Sequence, residues 1–296
     1  MKFSAWPTND RTWDETLAVA RWTESAGLHG FWYQDHLMPF RPDGTSDPGD
    51  ALECFTVLTA VGALVPRVRL VSMVSPVTIH HPVLLAKRAI TADHVSGGRV
   101  VLGLGAGWQE NEHRAYGFEL AAPGPRVDRF EEAIQVVRSL RDHERTTFEG
   151  TYYSLHDAPC APKAVGSLPL LVGTGSPRML RLTARFAEEW NTWGDPTEVA
   201  RRTDLFLAAC DAVHRDPATV HRSAQALVFI GDTTPEFMTG RSIAGSDQQL
   251  IEQLNRYVEL GVDEFAIPDW NFGASPAERA EHYAHLHANV LPHVGS

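Results

Sequence analysis

The 296-residue sequence contains little cysteine and no long apolar segment. Its three cysteines, Cys54, Cys160 and Cys210, are widely separated and odd in number, which argues against a disulfide framework and provides no metal-ligand spacing. We therefore expect no metal site and a reducing, cytoplasmic location. The first residues lack the apolar run of a signal peptide, and no later run is long enough to span a bilayer, so no membrane association is expected.

Positive charge is also scarce. Lysine and arginine together number 26 against 37 acidic residues, which gives a formal net charge of -11, and no basic cluster is present. Contacts with nucleic-acid phosphates require local lysines and arginines, so no nucleic-acid partner is expected. The hydrophobic content of 43% and the charged content of 21% are those of an ordinary globular protein.

Strand-like and helix-like segments alternate along the whole sequence, without a linker or low-complexity stretch. This alternation favours one α/β domain over residues 1–296 and predicts a (β/α)8 TIM barrel. Two long insertion loops, 144–167 and 232–246, are predicted at the carboxyl mouth of the barrel. The eight predicted strands lie near residues 1–5, 29–34, 68–74, 99–104, 168–173, 188–193, 225–231 and 263–268.

Polar residues follow several of these strands, and in a parallel barrel the carboxyl ends of all strands face one mouth. Asp35 and His36 follow the second strand, where a carboxylate can accept ligand hydrogen bonds and an imidazole can move a proton near neutral pH. A helix-capping aspartate beside a surface histidine is the alternative interpretation. Gly173 to Ser176 offer backbone N–H groups and two hydroxyls before a helix, which suits a phosphate, although a plain strand-to-helix turn is the alternative.

The fourth predicted strand runs directly into a glycine-rich turn at Gly103, Gly105 and Gly107. Glycine lets the backbone adopt positive φ and approach a ligand without a Cβ atom in the way. A glycine pattern alone is weak evidence, so its neighbours in the sequence must decide what it binds.

Taken together, these motifs resemble the bacterial-luciferase-like superfamily of flavin and deazaflavin enzymes, particularly the oxidoreductases that use coenzyme F420. Order and spacing agree over about the first two thirds of the chain, and the last third fits mainly as alternating elements. The matching segments are Asp35-His36, Ile79-His-His-Pro82, Ser96 to Gly117, Arg126 to Ala133, Phe148 to Tyr153, Leu168 to Ser176 and Ala187 to Asn191.

The resemblance implies a barrel that binds its cofactor at the mouth, with His36 matching the histidine that transfers a proton in some members. Ser72-Met73 match a third-strand bulge that often contains a non-prolyl cis peptide, and Gly173 to Ser176 match the phosphate-binding turn. We interpret Gly103 to Gly107 as admitting a flat ring system closely. The cofactor-binding residues that the resemblance implies are Asp35, Ser72, Met73, Gly107, Asn111, Gly173, Thr174, Gly175 and Ser176.

The sequence departs from the family pattern at one position. Sugar-phosphate dehydrogenases of the family have a catalytic glutamate after the last glycine of the fourth-strand turn, and this chain has Trp108 there. Tryptophan cannot act as a general acid at neutral pH, although it can wall off an apolar pocket. Glu110 and Glu112 lie nearby, but the sequence alone assigns neither of them that role. The predicted substrate pocket contains Trp6, Trp108 and Trp193, with Trp32, Phe40 and Trp270 as further candidates and core packing as the alternative for each.

Three functions fit these observations. The leading one is an F420-dependent oxidoreductase that transfers hydride between the deazaflavin and a small organic substrate. The alternative is an FMN-dependent monooxygenase that receives reduced flavin from a partner reductase and uses O2. A barrel that stores or senses a flavin without catalysis is the third, and the resemblance also implies a homodimer.

Overall fold

Strands and helices alternate along the chain in the computed structural model, which describes residues 1–39, 45, 49–231 and 236–295, without the side chain of Phe237. The strands are β1 (Lys2–Trp6), β2 (Gly30–Tyr33), β3 (Arg69–Ser72), β4 (Ser75–Pro76), β5 (Val100–Gly105), β6 (Arg145–Glu149), β7 (Ser154–Pro159), β8 (Leu170–Gly173), β9 (Glu189–Trp193), β10 (His221–Gln225), β11 (Leu227–Ile230), β12 (Ser242–Gly245) and β13 (Glu264–Pro268). The helices are α1 (Trp13–Ser25), α2 (Cys54–Leu64), α3 (Pro82–Ser96), α4 (Glu110–Tyr116), α5 (Pro123–Asp142), α6 (Pro177–Phe186), α7 (Pro196–Asp211), α8 (Asp247–Glu259) and α9 (Pro276–Asn289).

The main sheet has the strand order β3-β2-β1-β13-β10-β9-β8-β5, and β3 also pairs with β5. Within the described residues, these eight strands give the (β/α)8 TIM-barrel fold that the alternating pattern predicts. The short strand β4 is added through pairs of Ser75 with Leu104 and Pro76 with Gly105. Strand β5 is buried along its whole length, as expected for a parallel strand with both faces covered.

The described residues group into two compact units. The first unit contains Met1–Thr8, Asp14–Trp32 and the described residues from Thr174 onward, and its core includes Tyr257, Phe265 and Phe272. The second unit contains Asn9–Trp13 and the described part of Tyr33–Gly173. The single domain over 1–296 stays a prediction.

Helix boundaries follow local sequence signals. Ser246 and Ser275 begin α8 and α9 with capping boxes, each serine accepting a backbone N–H while the third helical residue bonds back. Helix α3 starts with a proline in its first turn and ends at Gly97, whose φ of 72° is the left-handed conformation that glycine adopts without penalty. None of the helices in the described residues is both long enough and apolar enough to cross a membrane.

Seven of the eight predicted barrel strands are confirmed within the described residues. The predicted segment 225–231 does contain a strand, but that strand is not part of the main sheet, so its assignment to the barrel is wrong. The seventh barrel strand is β10, which begins with His221, Arg222 and Ser223 and therefore lacks an apolar pattern. The Ser223 hydroxyl accepts a hydrogen bond from the Asn191 side chain at 3.0 Å, so this buried polar group has a partner inside the first unit. The apolar run that suggested a strand forms β11 instead, which pairs in parallel with β12.

Both predicted loops contain secondary structure. The segment 144–167 includes the antiparallel pair β6 and β7, and Glu132 accepts hydrogen bonds from the amides of Thr151, Tyr152 and Tyr153 in the turn between them. The segment 232–246 includes β12, while its residues 232–235 lie outside the described residues.

Candidate functional site

Asp35 follows β2 in the second unit and is almost completely buried, with 2% of its surface exposed. Its Oδ2 lies 3.0 Å from Nε2 of His80, which precedes α3. Burial opposes ionisation of the carboxyl, but contacts with His80 and Ser75 and the charge of His36 outweigh it, so the pKa of Asp35 lies below its ordinary value. Asp35 is therefore a buried carboxylate at neutral pH.

The orientation of the His80 ring can be assigned from its second neighbour. Arg88 Nη1 lies 3.2 Å from His80 Nδ1, and because a guanidinium only donates hydrogen bonds, Nδ1 must accept. The hydrogen is then on Nε2, facing Asp35. The N–H is not aligned with the carboxylate, and within the described residues Asp35 Oδ2 makes no hydrogen bond of good geometry despite the short contact. Asp35 thus retains a buried acceptor atom.

Replacing Asp35 by Asn is expected to lower protein stability at pH 7 by about 1–3 kcal/mol, because the charge that attracts His80 is lost. A lowered pKa stabilises the fold above the ordinary value of 3.8, and this contribution is lost as the pH falls through the native pKa. The difference between wild type and variant should therefore be constant near neutrality and shrink below about pH 4. Urea unfolding across this pH range would measure it, with the exposed Asp204→Asn as control; a gap that widens on acidification would contradict the assignment.

His36 lies beside Asp35 and contacts a carboxylate and an indole. Its Nδ1 is 2.9 Å from Oε1 of Glu112, and its ring centroid is 5.4 Å from that of Trp108 in an edge-on arrangement. The side chain is 16% exposed. Among the described residues, no hydrogen bond reaches His36 Nε2. Proton exchange with a ligand is therefore geometrically available at Nε2.

A non-prolyl cis peptide follows β3, as the resemblance implies, but it joins Met73 to Val74, one bond after the matched pair Ser72-Met73. The Ser72 hydroxyl accepts a hydrogen bond from Gly103 N at 2.9 Å and lies 3.3 Å from Gly103 O. Ser72 is fully buried, and its side chain therefore bonds to β5. Met73 N donates to Tyr33 O at 2.8 Å. Cofactor binding by Ser72 and Met73 stays a prediction.

The three glycines of the fourth-strand turn approach the protein's own chain. A Cβ atom on Gly103 would lie 1.9 Å from Ser72 O, and one on Gly105 would lie 2.7 Å from Val74 Cγ2. Gly107 has a φ of 85°, and its Cβ would lie 2.2 Å from Thr78 Oγ1. Internal packing therefore accounts for the glycines without a ligand, and close approach of a ring at Gly107 stays a prediction.

Helix α4 and the residue before it carry two further buried acceptors. Asn111 Nδ2 lies 3.3 Å from Pro39 O and 3.1 Å from Thr45 O, and Gln109 Nε2 lies 3.2 Å from Met38 O. Within the described residues, the side-chain oxygens of Asn111 and Gln109 have no hydrogen-bond partner. A buried acceptor without a partner is costly, so both atoms are suited to meet a ligand N–H or O–H.

Gly173 is the last residue of β8 in the second unit, where a Cβ would lie 3.0 Å from Met73 Cε. The predicted phosphate-binding turn continues in the first unit with Thr174, Gly175 and Ser176. Thr174 N donates to Asn191 O at 3.0 Å and Ser176 N to Thr174 Oγ1 at 3.3 Å, so two of the amides expected for a phosphate are already bonded.

A cation that the sequence analysis did not identify lies against this turn. A Cβ on Gly175 would be 2.9 Å from Cζ of Arg202 on α7. Arg202 Nε donates to Glu198 Oε1 at 2.6 Å, and the neighbouring Arg201 bonds the same carboxylate. Hydrogen bonds from these arginines, opposed by partial burial, lower the pKa of Glu198 to about 2. The turn therefore has a guanidinium beside it whose charge is partly neutralised.

Four of the predicted tryptophans pack together in the first unit. Trp6 lies 5.0 Å from Trp270, 5.8 Å from Trp193 and 6.5 Å from Trp32 between ring centroids. Trp270 is 41% exposed, so the cluster presents apolar surface to solvent. Trp108 belongs to the second unit, where it contacts His36. Phe40 lies outside the described residues.

Sequence reasoning placed Asp35 and His36 together but missed their partners. In the sequence, His80 belongs to a segment that matches the family but has no assigned role, and Glu112 is one of two acids near Trp108. The available signal for Glu112 was local, because Asn111, Glu112 and His113 are consecutive polar residues in a short helix and all three are buried. Their burial requires contacts that one sequence does not display.

A parallel barrel with titratable side chains just beyond the carboxyl ends of its strands has the architecture of a (β/α)8-barrel enzyme. The model of the luciferase-like monooxygenase family matches residues 1–239, and the chain belongs to that family.

Relatives in this family share moderate identity with the chain. The F420-dependent hydroxymycolic acid dehydrogenase of Mycobacterium tuberculosis is 28% identical over 273 residues, covering 89% of this chain and 73% of the relative. The F420-dependent glucose-6-phosphate dehydrogenase of Microbacterium testaceum is 34% identical over 200 residues, covering 67% of this chain but only 57% of the relative. A solved F420-dependent secondary alcohol dehydrogenase, in complex with an F420-acetone adduct, superposes with a TM-score of 0.82 at 17% identity and covers 100% of this chain and 99% of that one. At this identity, the last comparison supports the fold.

Proposed function

We propose that this chain is an oxidoreductase that uses F420 and transfers hydride between the deazaflavin and a small organic substrate. Two relatives with this cofactor in their names match 67% or more of the chain. The observation that carries the proposal is a group of buried acceptors on the segments following β2 and β5 that make no hydrogen bond of good geometry within the described residues: Asp35 Oδ2, Gln109 Oε1 and Asn111 Oδ1.

These acceptors fit the chemistry of the cofactor. A deazaflavin carries a pyrimidinedione N–H and a ring hydroxyl, both hydrogen-bond donors, and buried oxygens are the groups that would receive them. We assign Asp35 and Asn111 to the ring, and Thr174, Gly175 and Ser176 to the phosphate. On the basis of the family resemblance, we also propose that the cofactor contacts Ser72, Met73, Gly107 and Gly173. When bound, F420 supplies the carbon that gives or takes the hydride.

The residues of this chain would handle the proton. In the direction of substrate oxidation, His36 Nε2 accepts the proton from the substrate hydroxyl, and in the reverse direction the protonated ring returns it. Glu112 holds Nδ1, and the exposed Trp108 indole covers one edge of the imidazole.

Because Trp108 occupies the position of the glutamate in the sugar-phosphate enzymes, we propose a substrate with an apolar surface near its reacting atom. Trp6 and Trp193 stay proposed substrate contacts.

Titration with each oxidised cofactor tests the assignment. We expect F420 to bind at least about tenfold more tightly than FMN, a difference of about 1.4 kcal/mol. Asp35→Asn should weaken F420 binding, while the exposed Glu110→Gln should not. Isothermal calorimetry or quenching of F420 fluorescence would measure both. Tight FMN binding without F420 binding would reverse the ranking in favour of a flavin monooxygenase supplied by a partner reductase.

We further infer a cytoplasmic homodimer. The three cysteines of the chain are all free and buried, which is compatible with a reducing compartment. Size-exclusion chromatography with light scattering would test the dimer, and a monomeric mass at micromolar concentration would contradict it.

A further inference from the structure

We infer that Glu112 is a positioning residue that fixes the tautomer of His36 and leaves Nε2 as the atom that exchanges the proton. The inference rests on the proposed function for its catalytic consequence. Its structural part concerns the protein alone and can be tested without cofactor.

The two oxygens of Glu112 bind two different groups of the same loop. Oε1 lies 2.9 Å from His36 Nδ1, and Oε2 accepts a hydrogen bond from Leu37 N at 3.0 Å. An ionised carboxylate only accepts hydrogen bonds, so Nδ1 must carry the hydrogen. In the neutral imidazole the lone pair is then on Nε2, where no hydrogen bond arises within the described residues. Glu112 itself is fully buried.

Glu112 is held in place by the rest of its helix. Gln109 and Asn111 donate to loop carbonyls of Met38, Pro39 and Thr45, as described above. Tyr116 donates its hydroxyl to Leu37 O at 3.2 Å. Side chains from Gln109 to Tyr116 thus bind the loop after β2 and hold the backbone of Glu112 next to His36. The carboxylate itself is held by its two hydrogen bonds to His36 Nδ1 and Leu37 N.

The loop that carries His36 is also held from its other side. Asn9 Nδ2 donates to His36 O at 2.8 Å, so the histidine backbone is fixed independently of Glu112. Removing the carboxylate should therefore release the ring more than the backbone. This separation allows a positioning role to be distinguished from a merely structural one.

The experiment compares wild type, Glu112→Ala and Glu112→Gln, with Glu110→Gln as matched control on the same helix. Ring 15N chemical shifts, measured without cofactor and assigned with a His36→Gln variant, report which nitrogen carries the hydrogen. We expect the Nδ1–H tautomer in wild type and Glu110→Gln, and a mixture with the Nε2–H form in Glu112→Ala. Glu112→Gln should retain Nδ1–H, because an amide oxygen can accept the same hydrogen bond.

Turnover with F420 is the second readout. Loss of a partner that orients a metal-bound histidine typically costs about 10- to 100-fold in activity. By the same reasoning we expect a decrease of about that size in kcat for Glu112→Ala and partial rescue in Glu112→Gln. Wild-type Nδ1–H signals in Glu112→Ala, or unchanged kcat, would overturn the inference. If Glu112→Ala does not fold, an Nε2–H signal in folded Glu112→Gln with undiminished kcat would overturn it as well. A wild type that lacks F420 activity but shows the Glu112-dependent tautomer would refute the proposed function and retain the tautomer assignment.

Discussion

Replacing His36 by alanine is expected to lower F420-dependent turnover by about 10²- to 10⁴-fold, the usual contribution of a general acid or base. His36 is suited to proton transfer because Glu112 binds its Nδ1 and no hydrogen bond reaches its Nε2 within the described part of the chain. The neighbouring Trp108 has no acid function that could replace it. F420 binding should change little, because the proposed ring contacts are made by Asp35 and Asn111.

The measurement is the change in F420 absorbance with a panel of secondary alcohols and their ketones, together with a binding titration for each variant. His156→Ala is a suitable control, because His156 lies on the exposed hairpin of the same unit and its partners among the described residues, Glu149 and Ser154, are on that hairpin too. Full turnover in a His36→Ala protein that binds F420 normally would exclude His36 from the proton-transfer role. Loss of both binding and turnover would instead place His36 among the cofactor contacts.

The barrel could be predicted because its strands are apolar runs separated by helix-compatible segments. Strand β5 shows the signal clearly, since every residue from Val100 to Gly105 is buried. Strand β10 shows why the pattern fails, because His221 bonds Glu264 at 3.1 Å and Ser223 bonds Asn191 inside the first unit. Polar residues that hydrogen-bond to one another inside a barrel do not form an apolar run. The seventh barrel strand was therefore predicted at the apolar segment that follows them.

From the sequence, only the site residues that directly follow barrel strands could be predicted. Strand ends placed Asp35, His36 and the fourth-strand turn at one edge of the sheet. The partners that decide the chemistry, His80 and Glu112, come from a loop and a short helix whose paths no local pattern specifies. Arg202 was missed for the same reason, because its contact with Gly175 depends on how α7 packs against a turn. Loop paths and side-chain partners are set by tertiary packing, which one sequence does not reveal.

The glycine-rich turn provides the second large prediction. Gly103→Ala should destabilise the protein by about 3 kcal/mol or more and lower its thermal midpoint by about 6–12 °C. The added Cβ would lie 1.9 Å from Ser72 O and 2.9 Å from Val74 Cγ1. Ser72 cannot retreat without breaking the hydrogen bonds that join its hydroxyl to Gly103. Differential scanning fluorimetry on purified protein would measure the shift.

Gly124→Ala is the matched control, because a Cβ there meets nothing within 4 Å and its helical position favours alanine. It should leave the thermal midpoint unchanged or slightly raised.

The pair of variants also separates two reasons for glycine at position 103. If glycine is required so that a ring can approach the backbone, Gly103→Ala would keep its stability and lose only F420 binding. If glycine is required by the packing of β5 against the end of β3, stability falls even without cofactor, and the short Cβ contacts with Ser72 and Val74 favour this second outcome.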